Sequence, residues 1–302
     1  MRRYLYILIC VLALSACKQS NTPQPPSLIL EGWIDAGDIP VVLIHKSYVL
    51  DNFTPSSEDD ETSIEDVVEE LLIPFGRVAV SDGTDEVVLT GRIDTAYLPP
   101  YTYSSLDMEG TVGKTYTVTV KYKQYHATAT TTIPPVATLD SLRVKSHAED
   151  ALDIRAYMSG INPNEEAYYA LFARKAKTKQ FQLCPFGVFQ GKDAKNGQLE
   201  IKVYNPYSDT NHLDKSGFFF YADPEAETPQ IYQLKIARID YPSYCYWKAY
   251  NEQIITRGIL FVPVYKNIPG NVSGGQGIFT GMGSSIYSFA LSPDSTYRFP
   301  HP

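Results

Sequence analysis

Residues Thr115 to Tyr122 alternate without a break, with Tyr116, Val118, Val120 and Tyr122 on one side and threonine or lysine on the other. A period of two is the repeat of an extended chain whose successive side chains point to opposite faces. This stretch therefore reads as a strand with one apolar and one wet face. The pattern returns in Leu152/Ile154/Ala156/Met158, Tyr169/Leu171/Ala173, Leu199/Ile201/Val203 and Tyr232/Leu234/Ile236. Many short strands without long helices between them predict a mainly β protein built from sandwiches or barrels.

The turns between the strands divide the chain. Leu28 to Ile34 and Val41 to Ile44 are separated by Asp35-Ala36-Gly37-Asp38-Ile39-Pro40, which reads as strand, turn, strand. Arg77 to Val80 and Glu86 to Leu89 flank Ser81-Asp82-Gly83-Thr84, and an Asp-Gly pair between apolar runs predicts a hairpin. His126 to Ile133 is a threonine-rich strand, ended by Pro134-Pro135 because proline lacks the ladder donor. These signals put a boundary near residues 134–140. Residues 28–135 are expected to form an immunoglobulin-like β-sandwich, and residues 136–302 a second β-rich, sandwich-like domain with one or two short helices. One helix is expected from Ser243 as N-cap through Tyr246, Trp247, Tyr250 and Ile254 to Gly258. Another is expected over Ser63 to Leu72.

The amino terminus carries an address. Arg2 and Arg3 precede an apolar run from Tyr4 to Leu14, which ends in Leu14-Ser15-Ala16-Cys17. A membrane-spanning helix needs roughly 20 apolar residues, whereas a secretory signal needs only about 7–15. Residues 1–16 therefore read as a signal peptide. Leu14-Ser15-Ala16-Cys17 resembles the bacterial lipobox, which makes Cys17 the expected site of lipidation and the first mature residue. Two or three acyl chains, at about 0.8 kcal/mol per buried CH₂, anchor such a protein stably. Residues 17–27 are polar and proline-containing, and read as a lipidated tether. The anchor places the protein at a membrane, with periplasmic and cell-surface facing both open.

Charge and cysteine count narrow the classes. The net charge is −8, and Asp51 to Glu70 supplies nine acids and no base, an acidic insertion within the first domain. Without a basic face the chain has no electrostatic footprint for nucleic acid. Beyond Cys10 in the signal and Cys17 at the anchor, Cys184 and Cys245 remain. They are read either as one disulfide or as two free thiols, because sequence does not give their separation.

No motif names a reaction. Gly274-Gly275-Gln276-Gly277 lacks the Lys-Ser/Thr pair and following helix of a phosphate loop, and reads as a glycine-assisted entry into a strand at Ile278 and Phe279. His45, His126, His147, His212 and His301 are scattered, and no serine elbow is present. Glu58-Asp59-Asp60-Glu61 lacks the alternating ligands of a calcium loop and reads as a solvated acidic run. Asp94-Thr95-Ala96, Asp140-Ser141-Leu142 and Asp294-Ser295-Thr296 look like short bacterial O-glycosylation sites, consistent with export. The expectation is a protein that is not an enzyme, with no catalytic residues, cofactor or metal. Among its 23 tyrosines, the cluster of Tyr244, Tyr246, Trp247 and Tyr250 is the candidate ligand-binding platform, since exposed aromatic rings stack on sugars and anchor protein partners.

Four stretches together resemble a known family in order and spacing. They are Leu28-Ile29-Leu30-Glu31-Gly32-Trp33-Ile34-Asp35, Val78-Ala79-Val80-Ser81-Asp82-Gly83, Tyr116-Thr117-Val118-Thr119-Val120 leading to Ile133-Pro134, and Asn271-Val272-Ser273-Gly274-Gly275-Gln276-Gly277-Ile278-Phe279. The chain resembles the DUF4249 lipoproteins of Bacteroidetes over nearly its whole mature length. The family brings no catalytic residues, and its genes often lie beside those of TonB-dependent outer-membrane receptors. The resemblance implies an accessory lipoprotein of the outer membrane that binds a nutrient or the receptor. The alternatives are a stand-alone surface glycan- or peptide-binding protein, or a hydrolase without a recognisable motif. The insertion at 51–70 is longer than the family leads one to expect.

Overall fold

The computed structural model describes residues 27–47, 71–147, 150–208, 215–223, 225–256 and 268–300. The signal peptide, Cys17, nearly all of the tether, the acidic insertion with Glu58 to Glu61, His212, Gly258 and His301 lie outside the described residues. So does the helix expected over Ser63 to Leu72, apart from its last two positions.

The alternating stretches become strands of a mainly β fold. β1 (Leu28–Asp35), β2 (Val41–Lys46), β3 (Arg77–Ser81), β4 (Glu86–Val88), β5 (Thr90–Ile93), β6 (Tyr101–Ser104), β7 (Thr115–Tyr122) and β8 (Tyr125–Thr132) make the first half. A four-stranded sheet in the order β4-β3-β7-β8 faces β1, β2, β6 and β5 of a larger sheet. Leu30, Ile34, Val42 and Ile44 from one sheet meet Val78, Val80, Tyr116, Val118 and Val120 from the other in a single core. The outer side of the β7–β8 hairpin is polar. There Thr115 pairs with Thr132 at 2.8 Å and Thr117 with Thr130 at 3.0 Å, hydroxyl to hydroxyl. The β3–β4 hairpin forms as expected, but over a four-residue turn. Asp82 Oδ1 accepts from the Thr84 and Asp85 amides at 3.0 and 2.9 Å, so a side chain does the work expected of a two-residue turn.

The second half contributes β9 (Ser141–Ser146), β10 (Ala151–Met158), β11 (Tyr168–Lys175), β12 (Gln182–Gln190), β13 (Leu199–Val203), β14 (Phe220–Tyr221), β15 (Ile231–Ile239), β16 (Gln276–Ala290) and β17 (Ser295–Arg298). β13-β10-β9-β17, with β14 beside β10, form a third sheet. Its inner residues, among them Leu142, Ile154 and Ile201, pack on Leu171, Leu234 and Phe289 of the large sheet in a second core. Each of the four period-two sets found in the second half of the sequence lies in this core.

The large sheet runs through both halves in the order β12-β11-β15-β16-β1-β2-β6-β5. Its hinge is β16. Residues 276–282 pair in parallel with β1, and residues 283–290 pair antiparallel with β15. The chain passes from the first core at Ile133 to the second at Ala137, and residues 272–279 later return to the first core through Val272 and Phe279. The 133–137 connection lies against β16, where the Ala137 amide donates to the Gly283 carbonyl at 2.9 Å. A Cβ at Gly283 would sit 2.3 Å from the Pro134 carbonyl oxygen, so only glycine admits this crossing. At the start of the strand, Gly277 has φ of +110° and a Cβ there would come within 2.0 Å of the Leu30 carbonyl oxygen. The glycine-rich stretch is thus a close backbone approach into a strand, as its sequence suggested.

An α-helix, α1 (Tyr241–Thr256), lies on the face of the large sheet opposite the cores. It starts three residues earlier than the sequence signals indicated. Asp240, not Ser243, is the N-cap: its Oδ1 accepts from the Ser243 amide at 2.9 Å. Its Oδ2 accepts from Thr131 Oγ1 at 2.9 Å, which ties the helix to the end of β8 in the first half.

Candidate binding site

Aromatic residues stand at Tyr241, Tyr244, Tyr246, Trp247 and Tyr250, spread around more than half the circumference of α1, so a helix packed on a sheet cannot present all of them to solvent. Tyr244 and Tyr246 turn inward and are each 6% exposed, Trp247 is half-buried, and Tyr250 is 36% exposed. Tyr246, Trp247 and Tyr250 are brought together, with ring centroids 5.3 to 6.3 Å apart. Tyr244 is not part of that group. It packs on Tyr168 at 4.8 Å, on the other flank, and its hydroxyl accepts from Gln190 Nε2 at 2.5 Å. Burial, with the Glu31 carboxylate 3.3 Å away, pushes the Tyr246 phenol well above the ordinary tyrosine value. The aromatic faces that α1 offers to solvent are those of Tyr250 and of Tyr241, which is 57% exposed.

Asn251 has a different task on the same helix. Its Nδ2 donates to the Cys184 carbonyl at 2.9 Å, and its Oδ1 accepts from the Phe186 amide at 3.0 Å. Phe186 has φ of +58°, in the left-handed region that a bulky side chain rarely adopts. One amide side chain therefore holds a kinked segment of β12 in place. Cys184, buried in the second core, and Cys245, on α1, are free thiols. Burial raises the Cys184 thiol far above its usual value.

Beside the helix, the large sheet carries a buried ion pair. Lys235 Nζ on β15 lies 2.6 Å from Asp35 Oδ2 on β1, and Ser284 Oγ on β16 donates to Asp35 Oδ1 at 2.6 Å. Lys235 and Asp35 are 7% and 6% exposed. The Lys235 ammonium also lies 5.6 and 6.0 Å from the Phe181 and Phe172 ring centroids. Both carboxylate oxygens of Asp35 have partners, and the cation is flanked by rings. The cluster is a closed clamp that spans three strands and both halves of the protein. The loop after β5 reaches the turn after β11, with Asp94 Oδ1 3.8 Å from Lys179 Nζ. Tyr97 of that loop lies over Trp33, with centroids 5.8 Å apart, and burial followed by the Asp94 carboxylate raises its phenol.

The remaining sequence candidates are dispersed. Thr95 is exposed in the loop after β5, whereas Ser141 and Ser295 lie within β9 and β17. Among the described residues, no group of three or more His, Cys, Asp or Glu is placed to hold a metal ion, and no helix is long and apolar enough to cross a membrane.

A surface feature without a sequence signal lies at the free edge of the large sheet. Phe75, Ile93 and Leu98 are 89%, 77% and 76% exposed. Ile93 is the cross-strand partner of Tyr101, Leu98 lies in the loop between β5 and β6, and the Tyr101 hydroxyl donates to the carbonyl of Pro74, next to Phe75, at 2.7 Å. They form an apolar rim along β5, the outermost strand of its sheet.

No curated protein matches the chain. A family model described as a domain of unknown function, DUF4249, matches residues 18–288, a span that takes in β1 to β15, nearly all of β16, the clamp and the helix, and stops before β17. The chain belongs to the DUF4249 family.

Proposed function

We propose that the protein is an outer-membrane lipoprotein, anchored through Cys17, that serves as a non-enzymatic accessory partner of a TonB-dependent nutrient receptor. The observation that carries this reading is the apolar rim of Phe75, Ile93 and Leu98 on an edge strand. Single exposed apolar side chains are ordinary. Contiguous ones mark contact surfaces, and natural proteins usually blunt sheet edges with charge or cover them. The lipobox at Leu14 to Cys17 and the genomic setting implied by the family resemblance point the same way. The clamp between the two halves supports it further, because a rigid body holds a docking surface in fixed geometry and lowers the ordering cost of association.

The test is affinity isolation of the natively lipidated protein from outer membranes in mild detergent, beside a Cys17→Ala control and a Phe75→Ser/Ile93→Ser/Leu98→Ser variant. Co-isolation of a TonB-dependent receptor at near-equal amounts, weakened by the triple variant, is expected. A receptor absent from every preparation contradicts the reading and favours a stand-alone glycan- or peptide-binding protein.

A further inference from the structure

The outer face of the β9–β10–β13 sheet carries charges in an arrangement that folding alone does not favour. Arg155 on β10 stands directly opposite Lys202 on β13 and Arg143 on β9, so three cations form one row across three adjacent strands. Like charges directly opposite each other destabilise a sheet. Two carboxylates offset part of the row. Asp153 binds Arg155 Nε at 2.8 Å and lies 3.4 Å from Lys202 Nζ, and Glu200 takes the other side of the Arg155 guanidinium. Burial pulls the Asp153 carboxyl upward, and its two cations overcome this and hold it below the ordinary carboxylate value.

Arg143 and Lys145 remain. Lys145 is opposite Asp153 in register, but that carboxylate is already shared by Arg155 and Lys202. Among the described residues neither Arg143 nor Lys145 has a carboxylate within ion-pair distance. The Arg143 guanidinium is instead steadied over the Tyr157 ring, 5.0 Å from its centroid. A cleft of about 240 Å³ opens among Arg143, Lys145, Asp153, Arg155 and Tyr157. It is therefore positively charged on a protein whose net charge is −8.

We propose that this cleft is a binding site for a small polycarboxylate. Arg143 and Lys145 are two residues apart on one strand and share a face, so their backbones are about 6.5–7 Å apart. Two anionic groups on one small molecule match that spacing better than a single group does. A planar guanidinium forks onto both oxygens of a carboxylate, and Lys145 supplies a point charge for the second group. The cleft is smaller than the roughly 300–1,000 Å³ of sites for drug-sized molecules, which limits the occupant to a compact anion. The site is remote from the apolar rim and stands whether or not the receptor reading does.

The test is calorimetric titration of the purified protein at low ionic strength with citrate, with galacturonate as a single-carboxylate probe and with inorganic phosphate. Citrate is expected to saturate one site, to weaken as salt is added, and to bind at least about tenfold more tightly than either other anion. Arg143→Ala and Lys145→Ala should each weaken citrate by about tenfold or more while the melting temperature of the free protein is kept. Absence of saturable citrate binding at millimolar concentration overturns the proposal. Equal affinity for phosphate, or citrate binding unchanged in both variants, overturns it as well.

Discussion

The protein carries two clusters of charge that differ in how they are satisfied. Asp35 and Lys235 are buried, and each oxygen of the carboxylate has its own partner across β1, β15 and β16. On the outer face of β9, β10 and β13, two carboxylates are spread over a row of cations, and Arg143 and Lys145 are left facing a cleft. A closed pair has no valence to offer a ligand and can only hold strands together. An open row weakens the sheet that bears it and gains from an anion. The first arrangement belongs to the fold and the second to binding, a division that substitutions can break.

The largest effect is expected at the clamp. Lys235→Ala leaves Asp35 buried without its cation and should cost about 3–5 kcal/mol in denaturant unfolding. Replacing both members, Asp35→Leu with Lys235→Met, should recover most of that loss, because apolar packing substitutes well for a buried pair. A double variant as unstable as the single one would mean that the site needs charge for another reason. Next is the crossing over β16. Gly283→Ala forces a methyl against the Pro134 carbonyl and should lose about 1–3 kcal/mol, read as a lower denaturation midpoint.

Asp240→Ala removes the helix cap together with its contact to Thr131, and should cost about 1–2 kcal/mol. If Asp240→Asn keeps the stability, the cap matters more than the charge. The pH dependence is smaller. Asp153 has its folded-state value lowered from 3.8, so its contribution is present above that value and is lost as pH falls through the folded one. Asp153→Asn should therefore flatten the acid limb of the stability profile and leave the alkaline limb unchanged.

Much of this arrangement was legible in the sequence, for a physical reason. β7 has one wet and one buried face, so Tyr116, Val118 and Val120 announce themselves by alternation, as do Leu152, Ile154, Ala156 and Met158 in β10. β16 could not be read in this way. Its residues Ile278 to Gly283 are buried on both faces, which erases the period of two, and Gly281 and Gly283 carry no apolar side chain to count. Its parallel partner, β1, lies some 240 residues away in the chain, beyond the reach of local pattern. The Asp35–Lys235 pair was hidden for the same reason, since neither residue has a neighbour in sequence that hints at the other.

The helix is legible in the sequence, but its start is not. Ser243 is a good N-cap type, and Asp240 is another; Pro242 in the first turn was the signal that favoured the earlier one. The burial of Tyr244 and Tyr246 has no local signature, because the aromatic residues of α1 spread around more than half of the helix and only the sheet beneath decides which face inward. The apolar rim at Phe75, Ile93 and Leu98 is silent as well, because three residues scattered in sequence come to one edge only through the β5–β6 pairing and the Tyr101–Pro74 hydrogen bond.

The most direct test of the division between clamp and cleft is denaturant unfolding of Lys235→Ala and of Arg143→Ala/Lys145→Ala, each against the parent protein. The first should lose about 3–5 kcal/mol, and the second should change by no more than about 0.5 kcal/mol or gain slightly as like charges are removed. A cleft variant that loses as much stability as the clamp variant would contradict that division, because the open row of cations would then be part of what holds the fold together.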